Sequence, residues 1–68
     1  MPNPTSPEAG AIEEAYQDQV QALFKVLFGN LVDEPVTHQN DQQCVQKFAA
    51  SLAIAKRARD LALKAVGA

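Results

Sequence analysis

Pro35 divides the chain into two stretches that each place apolar residues at helical spacing, and neither shows the strict alternation of a strand. In the first stretch, Ile12, Tyr16, Val20, Leu23, Leu27 and Leu31 recur every three or four residues, which is one stripe of an α-helix. Upstream, Thr5 or Ser6 can cap that helix, Thr5 to Glu8 fits a capping box, and Pro7 suits the first turn because the donor it lacks would be orphaned there. Pro35 pushes Glu34 out of helical geometry, so it is a firmer stop than a cap at Gly29 and Asn30. Helix 1 is therefore expected over about 7–32 and the loop over about 33–40. Asn40 is the expected cap of helix 2, with Gln43 as its capping-box partner. Helix 2, about 41–66, has no internal Gly or Pro and is rich in the strong helix formers Ala, Leu, Lys and Arg. Residues 1–5, with two prolines and no periodicity, are expected to be a disordered N-terminal arm. Residues 6–68 then form one all-α domain, an antiparallel two-helix hairpin, because a short connection makes long helices neighbours.

Such a hairpin is short of core. A chain of 68 residues buries only about 60% of the surface its unfolded form exposes. Cys44 is the only cysteine, so no disulfide can form within the chain. One Cys with one His, His38, does not provide the ligands of a structural zinc site. Oligomerisation is the remaining common support for a small scaffold.

The apolar pattern points the same way. Beside its main stripe, helix 1 carries Ala11, Ala15, Ala22 and Val26, and also Phe24, Phe28 and Val32. Helix 2 shows one seam at Val45, Phe48, Leu52, Ala55, Ala62 and Val66, and a second at Ala50, Ile54, Ala58, Leu61 and Ala65. A hairpin buries one stripe per helix, so the second seams predict a partner. The simplest closed solution is a homodimer forming a four-helix bundle. Its expected interface includes Val20, Leu23, Phe24, Leu27, Phe28, Leu31, Phe48, Leu52, Ile54 and Leu61. If Phe28 were fully buried there, Phe28→Ala would cost about 3 to 5 kcal/mol. Arg59 interrupts the first seam of helix 2 at the height of Glu13 and Glu14, which predicts an ion pair between the helices.

Candidate chemistry is sparse. Asp33, Glu34, His38, Asp41 and Cys44 cluster around the loop, but their spacing matches no metal-ligand motif. His38 with Cys44 meets the minimum for a thiol nucleophile, yet a hairpin offers no evident pocket or oxyanion donors. Glu13, Glu14 and Asp18 lack the Glu-x-x-His partner of a di-iron bundle. No enzymatic activity, metal or other cofactor is therefore expected. Cys44 is expected as a small packed thiol. Net charge is −2, which gives no field for nucleic acid or an anionic membrane. The expected role is a small self-associating interaction protein, an adaptor, regulator or assembly factor, whose remaining surface meets another protein. The alternative is a nucleic-acid-binding regulator using Lys47, Lys56, Arg57 and Lys64. With no apolar run long enough to span a bilayer and no signal-like start, a cytoplasmic setting is expected.

Overall fold

A computed structural model describes residues 6–33 and 36–67. It contains two α-helices that pack against each other, α1 (Pro7–Asp33) and α2 (His38–Ala65). The expected N-terminal arm, Thr5 of the capping box and loop residue Glu34 lie outside the described residues.

Side-chain caps set both starts. Ser6 Oγ accepts the amide of Ala9 at 3.1 Å, and its carbonyl accepts the amide of Gly10 at 3.0 Å. One of the donors left over by the first turn is thus answered by a hydroxyl. At the second helix the cap is Thr37, not Asn40. Thr37 is extended (φ −132°, ψ 152°), and its Oγ1 accepts the Asn40 amide at 3.0 Å. Asn40 therefore sits within the first turn. A β-branched hydroxyl residue in extended geometry is already a good cap, worth about 1 kcal/mol. Starting there adds a helical turn that a cap at Asn40 would forgo. The connection shrinks accordingly to residues 34–37, against the longer loop expected from the sequence.

The helix ends follow different rules. α1 runs straight through Gly29, although a helical glycine costs about 1 kcal/mol relative to alanine. α2 closes on Gly67, whose φ of 78° is the left-handed conformation that a side chain disfavours. The Gly67 amide donates to the Lys64 carbonyl at 3.2 Å. Lys64 in the last turn places positive charge at the negative end of the helix.

Between the helices runs a single seam. From α1 it takes Ala9, Ile12, Tyr16, Val20, Leu23 and Leu27, and from α2 Cys44, Phe48, Leu52, Ala55, Arg59 and Ala62. Cys44 occupies the place expected for Val45, which is exposed, as is Val66. A straight helix drifts about 20° per heptad against a 3.5-residue repeat. Over the length of α2 that drift carries Val45 and Val66 off the seam centre. Arg59 lies over Tyr16, 4.6 Å from its ring centroid, and this fixes the register. Counting toward the loop from that pair sets Phe48 at the height of Leu27.

The seam is thin. Ala9 and Cys44, at 3% and 7% exposure, are the buried residues among those described, and no described side chain is fully buried. The molecule measures 52 × 17 × 15 Å with a radius of gyration of 15.6 Å. A compact chain of this length would have a radius of about 11 Å. The hairpin is a rod two helices wide.

Candidate interaction surface

Each residue of an α-helix advances about 100° around the axis. Residues one step before the α1 seam positions, Ala15, Gln19, Ala22 and Val26, therefore form one flank, and Phe24 and Phe28, one step after, form the other. On α2 the residues one step before are Ile54, Ala58 and Leu61, while Val45, Lys56 and Asp60 follow seam positions. The helices run in opposite directions, so the two preceding flanks come to the same face of the hairpin. A groove between the helices records this directly. Toward the chain termini it is lined by Ala15 and Tyr16 of α1 and Ala58 and Ala62 of α2, with a volume of about 300 Å³. It continues toward the loop past Gln19, Leu23, Ser51 and Ile54.

The ten residues expected at an interface thus fall into three sets. Val20, Leu23, Leu27, Phe48 and Leu52 are half-buried in the seam within the chain. Ile54 and Leu61, exposed at 69% and 58%, stand on the groove face. Phe24, Phe28 and Leu31 are exposed on the opposite face with Val45. The second face is continuously apolar only near the loop, because Glu13, Lys56 and Asp60 interrupt it further along, before the half-buried Leu63 near the termini. The sequence shows that each helix has surplus apolar flanks. Which flanks share a face depends on helix direction and on the position of the seam, and the stripe pattern of a single helix carries neither.

Arg59 does not form the ion pair expected with Glu13 or Glu14. Its guanidinium binds its chain neighbour Asp60, with Nε and Nη2 at 3.1 and 3.0 Å from Oδ1. The Asp60 hydrogen bond holds its pKa above the ordinary arginine value, opposed by slight desolvation, and Glu13 adds attraction from a distance. A raised value in a cation means its contribution is intact at all lower pH and is lost only in strong alkali. Arg59 is therefore a fixed charge held over the Tyr16 ring, and its carbon stem continues the seam. Tyr16 as its platform was missed from the sequence, although its place in the stripe at the height of Arg59 was a usable signal.

Four of the five candidate residues near the loop are described, and Glu34 is not. Cys44 faces the seam, whereas Asp33, His38 and Asp41 are exposed. Among the described residues no group of three or more His, Cys, Asp or Glu is placed to hold a metal. Burial of the thiol has a direct readout. Cys44 is expected to react with an aromatic disulfide reagent on the order of a hundredfold more slowly in buffer than in urea, since only opened chains expose it. Equal rates would show that the loop end of the seam is open.

Lys47, Lys56, Arg57 and Lys64 of α2 are all exposed and spread around the helix. Lys47, one step before Phe48, lies on the groove side and Lys56 on the other flank, while Arg57 and Lys64 stand on the outer edge of α2, turned away from the seam. No described helix is long and apolar enough to cross a membrane. No family model matches this chain, and no curated protein or solved structure matches it.

Proposed function

We propose that this chain is a small self-associating interaction protein, an adaptor, regulator or assembly factor without catalysis of its own. The observation that carries this reading is the imbalance of its apolar surface. No described side chain is fully buried, yet Phe24, Phe28, Ile54 and Leu61 are each more than half exposed, on two faces. Surface of that kind is stable in water when something covers it. The chain exposes 5318 Å², against about 4,200 Å² for a compact monomer of its mass. A homodimer forming a four-helix bundle covers one face and leaves the other for a different protein. A cytoplasmic setting suits a chain with one unpaired thiol.

Sedimentation equilibrium at micromolar concentration tests the self-association. The expected species has twice the 7.3 kDa mass of the chain. A cooperatively folded particle of single-chain mass, unchanged up to millimolar concentration, would remove the reading.

A further inference from the structure

The groove face and the charges on the hairpin's outer edges define how a second copy would lie. We propose that two copies pack groove face to groove face, with both loops at the same end, so that α1 of each lies on α2 of the other. This rests on the self-association proposed above and adds its geometry.

Area is the first argument. The face measures 52 by 17 Å, on the order of 900 Å², and a standard interface needs about 800 Å² per partner. The aromatic patch on the opposite face ends where Glu13, Lys56 and Asp60 begin, so it offers only part of that length.

Charge selects the arrangement. On the outer edges of the hairpin, turned away from the seam, α1 carries Glu14 and Asp18, and α2 carries Arg57 and Lys64. All four are exposed, and among the described residues the ion pair within the chain is Arg59 with Asp60, which leaves these four without a charged partner. Two face-to-face placements are symmetric. With the two-fold axis along the helices, α1 lies antiparallel on the partner's α2. The register fixed by Tyr16 and Arg59 then sets Asp18 level with the partner's Arg57. With the axis across the helices, the loops point apart and α2 lies on the partner's α2, basic edge against basic edge. Lys25, the basic exception on α1, falls level with uncharged Ala50 in the first placement.

Side-chain volume agrees. In this register Ile54 comes within one residue of the level of the partner's Ala22, Leu61 within one of the partner's Ala15, and Val26 within one of the partner's Ala50. Each large residue faces a small one, as interdigitating layers require.

Two measurements test the geometry. Asp18→Lys and Arg57→Glu should each weaken self-association about tenfold, since symmetry reverses two exposed pairs, each worth about threefold. Mixing the two variants should restore wild-type affinity, because the mixed dimer contains only opposite-charge pairs. An effect confined to one chain could not be rescued by mixing, so failure of rescue would overturn the arrangement. In the second measurement, spin labels on Val36→Cys in a Cys44→Ser background should lie within about 20 Å of each other, two helix spacings. A dimer with labels separated by nearly the 52 Å length of the molecule would overturn the arrangement and leave self-association standing. A folded monomer that shows no interchain distance would overturn both.

Discussion

Phe48→Ala is expected to lower the midpoint of thermal unfolding by about 15 °C, whereas Phe28→Ala at the same concentration lowers it by less than about 5 °C. The two residues are chemically identical and sit at the same end of the molecule. They differ in direction. Phe48 is half-buried in the seam at the height of Leu27, while Phe28 is 60% exposed. Truncating a fully buried Phe costs about 3 to 5 kcal/mol, so a ring that is mostly covered, as Phe48 is, is worth about 2 to 3. In a domain of this size each kcal/mol moves the midpoint by about 4 to 8 °C. Phe28 has little contact to lose within the chain, and the groove-face dimer leaves it uncovered. Equal shifts would mean that the aromatic face is also enclosed, restoring Phe28 to the oligomer core expected from the sequence. A concentration series separates the two cases, because only an interface residue changes how the midpoint depends on concentration.

Periodicity made the helices legible, and Pro35 made the turn legible. The stripe from Ile12 to Leu27 lies in the seam as its spacing implies. What the sequence left unresolved was settled by local competition or by geometry between the helices. Thr37 and Asn40 are both competent caps, and the choice fell to the one that lets α2 begin a turn earlier. Cys44 and Val45 are neighbours on the rim of the seam, and a rotation of a few tens of degrees exchanged them. Arg59 had two acids within plausible reach across the hairpin, but Asp60 is adjacent in the chain and requires no fixed geometry between helices. The exchange of Val45 for Cys44 is a difference of one position, which the 3.6-residue repeat cannot discriminate over long helices. The surplus of apolar residues was legible because it depends on composition per turn. Their division into a long groove face and a short aromatic face was not, because it requires both helices at once.

Ile54→Glu is expected to dissociate the protein into single chains at micromolar concentration. In an isolated hairpin this substitution is nearly neutral. Ile54 is 69% exposed, and glutamate is at least as good a helix former. Surface changes of this type usually stay within about 0.5 kcal/mol. If a second copy covers the groove face, the same change buries a carboxylate at two symmetry-related places, with alanine and not a cation opposite. An uncompensated buried charge costs about 3 to 5 kcal/mol. Two of them weaken the dimer by well over a thousandfold, since each 1.4 kcal/mol is about tenfold. The variant should then sediment at the 7.3 kDa chain mass and lose the rise of melting temperature with concentration. Ala53→Glu supplies the comparison. Ala53 is exposed one residue earlier, turned about 100° away from the groove face, and its substitution should leave the dimer intact. If Ile54→Glu sediments as wild type, the groove face is open in the assembled protein, and a self-association that persists must use the flank of Phe24, Phe28 and Val45 instead.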